Sequence, residues 1–409
     1  MAFQLDQIRN LFRQLLIYRS LSGDPAIRPL FEADAAANLT GWFGSLLERY
    51  PESGNPWASL LRDAVLNNEN YFSLAAEHRD AASLPSNIVA AVRRDLSVIA
   101  ELFHCRPEFG IEVSAPCASG EIDAATELLS SGRAEEAYHW LAAHYQRHGV
   151  GIFGRHAFFV WDSQAKRIKP VTNPDPVAVS DLIGYESQKE TLIKNTRKLL
   201  NGLPANNVLL YGDRGTGKSS LVKAVANQFR ENGLRLIEVN KTDLTDFPDL
   251  IGRLSDRGLH FIIYVDDLSF EVGESQYKHL KAVLEGSLSS RPRNLLIYAT
   301  SNRRHLIRET MAERDEDVHF NDAMQEKLSL ADRFGISITF LAPDQEEYLS
   351  IVRGLARQRG LEIPVPMLEA KALLWERFQN GRSGRTARQF VDDLQGELIM
   401  KAPLKEATD

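Results

Sequence analysis

Apolar positions in the first part of the chain recur mostly three and four residues apart, as at Phe3, Ile8, Leu11 and Leu15 and again at Val89, Val92, Leu96 and Ile99. That period puts them on one face of a helix and predicts an α-helical N-terminal domain. Turn-forming stretches such as Ser22-Gly23-Asp24-Pro25 separate the helices. Residues 123–148 read as a helical hairpin turning at Gly132, and HAFFVWDSQAKRIKPV then reads as a β-hairpin near 156–171, turning around Asp162 to Lys166. NPDPVAVS, with its two prolines, reads as a linker over 172–180. From 181 onward short apolar runs alternate with amphipathic stretches. NVLLYG, LRLIEVN, FIIYVDD, NLLIYATSN and SITFLAP are five strand candidates whose near-continuous apolar character suits a parallel sheet covered on both faces. Beyond Pro343 the spacing is helical again. The expected plan is therefore multidomain: a helical N-terminal domain over 1–165 ending in the hairpin, a linker over 172–180, an α/β core with a five-stranded parallel sheet over 181–342, and a small helical C-terminal domain over 343–409.

Composition narrows the functional classes. A length of 409 residues suits two or three domains, and 44% hydrophobic with 25% charged residues is the balance of an ordered globular chain. No lysine precedes Lys166, which supports separate modules. A net charge of −7 argues against a generally basic nucleic-acid coat, favours protein partners and leaves a local basic groove open. No apolar run reaches the roughly eighteen residues of a membrane helix, and the first residues lack the layout of a signal peptide, so a cytoplasmic protein is expected. Cys105 and Cys117 form no CxxC pair and read as packing thiols. His139, His144 and His148 are stepped by five and four, which does not align all three on one metal-facing stripe.

Candidate chemistry begins at Gly212-Asp213-Arg214-Gly215-Thr216-Gly217-Lys218-Ser219, which matches GxxxxGK[ST]. It follows a strand candidate and opens a helix candidate that continues through Ser220. Glycines let the backbone wrap closely around phosphates, the helix N-terminus meets their negative charge, and Lys218 adds a cation. The motif predicts ATP binding, with Ser219 as a Mg2+ ligand. FIIYVDD is the companion strand: Asp266 is expected to hold Mg2+, and Asp267 to orient and polarise the attacking water. Helix capping is the alternative role for two adjacent acids.

These residues resemble the AAA+ ATPases. The resemblance implies that Leu182, Ile183 and Gly184 contact adenine, that Asn302 in ATSN faces the γ-phosphate, and that Arg333 in SLADRFG is an arginine finger offered to a neighbouring subunit. It also implies a C-terminal lid helix in SGRTARQFVDDL whose arginine senses the nucleotide, Arg388 first and Arg385 as rival. Each arginine has a plainer alternative: Arg333 as a surface ion-pair residue, Arg388 paired with Asp392 one turn on. More closely, residues from about 175 to 400 are similar to a bacterial AAA+ group defined by a domain of unknown function.

Two departures from the AAA+ pattern matter. Asp267 stands where most members have Glu, as in replication-initiator relatives. The segment KTDLTDFPDL lacks the aromatic loop of polypeptide-threading rings, and Phe247 beside Pro248 reads as a packed ring. The resemblance implies a homo-oligomeric ATPase that couples turnover to remodelling or assembly of an unidentified protein partner held by the N-terminal domain. A DNA-associated ATPase of the initiator or helicase-loader kind, and a slow nucleotide switch, are the alternatives.

Overall fold

The structure, a computed structural model, describes residues 2–32, 36–78, 83–105, 123–270, 276–285, 292–302, 330–379 and 381–401. Cys117 lies outside them. The chain divides into two compact units, residues 1–156 with 257–259, and residues 157–256 with 260–409.

The first unit is helical: α1 (Ala2–Gln14), α2 (Pro29–Glu32), α3 (Ala36–Arg49), α4 (Pro56–Leu66), α5 (Tyr71–His78), α6 (Ser86–His104), α7 (Ala124–Ser130), α8 (Ala134–His148) and α9 (Ile152–Arg155). Its core is rich in rings, with Trp57, Tyr18, Phe72, Tyr138 and Tyr145 fully buried. Two of these carry hydroxyls that find partners, Tyr18 with Tyr145 at 2.9 Å and Tyr145 with the Val65 carbonyl at 2.8 Å. Buried Asp95 accepts from the backbone N–H groups of Leu16, Ile17 and Tyr18, pinning the end of α1 to α6. The expected hairpin of helices is α7 and α8, turned by Gly132 at φ +73°. His139 meets Glu135 at 3.0 Å, and His144 lies between the rings of Trp140 and His148.

The second unit is built on β1 (Phe158–Asp162), β2 (Arg167–Pro170), β3 (Val208–Gly212), β4 (Leu234–Glu238), β5 (His260–Val265), β6 (Leu295–Ser301) and β7 (Ile336–Phe340). They form one sheet in the order β2-β1-β4-β5-β6-β3-β7, parallel except for β2. All five expected strands are present, but the sheet has seven, not five. The reason lies at its edge. β1 of the 156–171 hairpin takes the open side of β4, pairing Phe158 with Leu236 and Val160 with Glu238, so the hairpin belongs to this sheet and does not end the helical unit. Trp161 is buried, and its indole N–H donates to Asp246 at 2.9 Å.

Helices α10 (Glu186–Leu200), α11 (Lys218–Phe229), α12 (Phe247–Ser255) and α13 (Gln276–Glu285) accompany the sheet, and α14 (Gln345–Gln358), α15 (Val365–Arg377) and α16 (Gly384–Lys401) form a separate helical core. β5 and β6 are buried almost throughout, as a parallel sheet covered on both faces requires. β3 sits between β6 and β7, neither its neighbour in sequence, so its C-terminal end faces a crevice where the strand order reverses. Sheets of this kind bind ligands there. Phe247, fully buried at the start of α12, is a packed ring.

Candidate functional site

The crevice beyond β3 is a cavity of about 750 Å³. Its floor is the part of the Gly212–Lys218 loop from Arg214 onward, running into α11. Gly212, Gly215 and Gly217 have φ of +133°, +76° and +91°, values that L-residues with side chains rarely adopt. A Cβ on Gly212 would lie 1.9 Å from the Phe340 carbonyl oxygen. The loop therefore passes so close to the end of β7 that only glycine serves.

Lys218 begins α11 and is buried, and its ammonium donates to the carbonyls of Gly212 at 2.9 Å and Asp213 at 2.6 Å and to Asn302 Oδ1 at 3.3 Å. Burial pushes its pKa down, and the charges of Asp213, Asp267 and Asp266 work the other way. Asn302 closes a bridge: its Nδ2 donates to Asp267 Oδ1 at 2.7 Å. One amide thus holds the loop lysine and the acid following β5 in register.

Asp266 accepts from Tyr264 Oη at 2.6 Å, Ser219 Oγ at 2.7 Å and Thr300 Oγ1. Burial alone would raise its pKa, but the hydroxyls and the Asp267 N–H hold it below the ordinary aspartate value. Thr300 acts as a pivot, because its hydroxyl also accepts from the Asp267 N–H at 3.0 Å. Asp267 has a left-handed φ of +48°, which turns its carboxylate out of the strand line towards Asn302. Ser219 Oγ and an ionised Asp266 oxygen, side by side, form a hard-oxygen pair that fits Mg2+, which takes one or two protein oxygens and completes its shell with phosphate and water.

The opposite wall is apolar. Leu182, Ile183, Gly184 and Tyr185 line it from the segment before α10, and Ile351 and Leu355 from α14. Gly354 permits this packing, since a Cβ there would stand 2.9 Å from Ile183. At the rim, Arg385 and Arg388 both line the cavity, and the Arg385 N–H donates to the Gly215 carbonyl at 3.0 Å. Asp392 pairs with Arg359.

The cavity thus gathers Ile183, Gly184, Arg214 to Ser220, Asp266, Asp267, Asn302 and Arg388. It does not include Gly212, which packs beneath the loop, Asp213, whose carboxylate accepts from the Ala342 N–H, or Arg333, which is exposed just before β7. The sequence motifs did not point to Tyr264, Thr300, Tyr185, Ile351 and Leu355. A hydroxyl inside an otherwise apolar strand was the available signal for Tyr264 and Thr300, and the four-residue step on a helix for the last two.

A family model described as "Protein of unknown function (DUF815)" matches residues 154–398. The ORC1-type DNA replication protein 14 of Haloarcula marismortui is 30% identical over 118 residues, 27% of this chain and 26% of that protein. The replication factor C large subunit of Staphylothermus marinus is 34% identical over 86 residues, 21% of this chain and 20% of its own length. The chain thus spans about a quarter or less of the length of these relatives. The Thermotoga maritima RuvB Holliday junction branch migration motor overlaps with a TM-score of 0.38 at 18% identity, covering 55% of this chain and 66% of RuvB. With 154–398 matched, well over half of its length, the chain belongs to the DUF815 family.

Proposed function

We propose that the cavity binds ATP with Mg2+ and hydrolyses it, and that turnover drives a cytoplasmic homo-oligomer to remodel or assemble an unidentified protein partner held by the helical unit. The observation that carries the hydrolytic part is the Asn302 bridge, which joins Lys218 to Asp267 across the loop. Such a link suits residues that must act together on one phosphoryl group. Arg214 to Ser220 present backbone N–H groups and a helix N-terminus to the phosphates, and Lys218 supplies charge. Ser219 and Asp266 would hold the metal, which when bound neutralises charge building on the β- and γ-phosphates. Asp267 accepts from the attacking water and polarises it, Asn302 orients Asp267, and the apolar wall around Ile183 takes the base. Arg388 or Arg385 reaches the nucleotide from the lid, and a neighbour's Arg333 completes the site.

The test separates binding from chemistry. Lys218→Ala is expected to lose most ATP affinity in an equilibrium titration. Asp267→Asn is expected to keep affinity and Mg2+ dependence while turnover falls by about two orders of magnitude or more. Unchanged affinity in a folded Lys218→Ala protein would refute the phosphate site.

A DNA-associated role is the second reading, favoured by the Asp266–Asp267 pair and by relatives named for DNA replication. Binding to single- or double-stranded DNA that falls steeply with salt would support it over a protein partner.

A further inference from the structure

Asp213 is an acid inside a loop built for anions, where a free carboxylate would repel phosphate. The structure turns it away. Every residue from Arg214 to Ser220 lines the cavity, but Asp213 does not. Its Oδ2 accepts from the Ala342 N–H at 2.6 Å, and its own N–H donates to the Phe340 carbonyl at 2.9 Å. A third tether, from Tyr185 Oη to the Leu341 carbonyl at 2.7 Å, comes from the segment that lines the base side. Three successive residues, from the last of β7 into the connector that follows, are thus held by the loop and the segment that frame the cavity.

The lid follows at once. Asp344 caps α14, accepting from the Glu347 N–H at 2.8 Å while Glu347 accepts from the Asp344 N–H at 3.0 Å. This pair of bonds fixes the connector to the helix, and the same helix carries Ile351 and Leu355 into the cavity.

We propose that Asp213 is a positioning residue that transmits occupancy of the phosphate loop to the lid. This role rests on the ATP-binding reading above and places the second residue of the loop away from the ligand. A shift of the loop backbone around phosphate moves Asp213, Asp213 moves Ala342, and the capped helix carries the change to Ile351 and Leu355. The carboxylate serves better than a neutral group, because a charged acceptor makes the stronger bond and phosphate pushes it towards Ala342.

The experiment compares wild type, Asp213→Ala and Asp213→Asn in the full chain. ATP affinity is measured by titration, amide exchange over 341–358 with and without a non-hydrolysable ATP analogue, and kcat separately from KM. Asp213→Ala is expected to bind ATP within about threefold of wild type, to lose most of the ligand-induced protection over 341–358, and to lose at least about fivefold in kcat, the scale of an ordinary coupling between sites. Asp213→Asn keeps an oxygen that can accept from Ala342 and should retain more than half of that protection. Tyr185→Phe, which removes the tether at Leu341, should show a smaller loss over the same segment. Wild-type protection in Asp213→Ala overturns the proposed role, and so does a large loss of its ATP affinity, which would make Asp213 a direct ligand contact. Failure of the wild type to bind ATP would instead overturn the ATP-binding reading, and this role with it.

Discussion

Asp266 receives hydroxyl bonds from Tyr264, Ser219 and Thr300, and only Ser219 has an obvious second duty as a metal ligand. The other two hold the carboxylate ionised and aimed. Because its folded pKa lies below the ordinary value, ionised Asp266 contributes stability above the unfolded aspartate pKa, and that contribution is lost as pH falls through the folded pKa. Tyr264→Phe keeps the buried ring and deletes one donor. It should raise the Mg2+ concentration for half-maximal turnover by about threefold to tenfold, the worth of one outer-shell bond to a metal ligand, and move the acid limb of the pH profile upward. A Mg2+ titration at fixed ATP checks this, and an unmoved midpoint would deny Tyr264 a role. Asp267 shows what residue identity alone conveyed. The acid pair was legible from FIIYVDD, but its φ of +48° was not, because no spacing reports a single backbone angle. That angle suits an aspartate at this position, since Asp and Asn tolerate the left-handed region better than longer side chains do.

At the scale of elements, legibility followed apolar continuity. β3 to β7 were readable because a parallel strand buried on both faces leaves an unbroken apolar run, and the glycine loop because its spacing is dictated by phosphate geometry. The place of β1 was not readable. It joins β4 through backbone groups that every residue carries, so FFVWD announced a strand without announcing its neighbour. Helix α8 presents the opposite case, a visible residue whose consequence needed the fold. His144, stacked on Trp140, has its pKa pushed down to about 4, first by burial and then by His148. The folded state therefore keeps it neutral, whereas the unfolded chain takes up a proton near 6.5. Stability is present in full above that value and drains away as pH falls towards 4. A tenfold difference in proton affinity between the two states corresponds to about 1.4 kcal/mol, and partial solvent access reduces the whole to roughly 1–2 kcal/mol. His144→Gln should flatten that dependence, so that the gap between denaturation midpoints measured near neutral pH and at about pH 5 narrows relative to wild type. An equal gap in both proteins would place the acid sensitivity elsewhere.

For the whole molecule the residue that tests the oligomer proposal is one that its own cavity leaves out. Arg333 is exposed and does not line the site of its own chain, as a group offered to a neighbour would be. The proposed interface is a relation between copies, so the composition and charge of one copy do not report it. Such arginines are worth roughly three to five orders of magnitude in rate where measured on related chemistry, because they stabilise charge on the phosphoryl group in flight. Arg333→Ala should bind ATP nearly as wild type and turn it over very slowly. Lys218→Ala should fail for the complementary reason, with an empty pocket but an intact Arg333 to lend. Mixing the two inactive proteins should restore part of the activity, from interfaces that pair a sound pocket on one subunit with a sound arginine on the next. Turnover of the wild type should also climb faster than linearly with protein concentration as subunits assemble. Strict proportionality, no recovery in the mixture and a wild-type rate for Arg333→Ala would together leave a monomeric nucleotide switch, with Arg333 an ordinary surface residue.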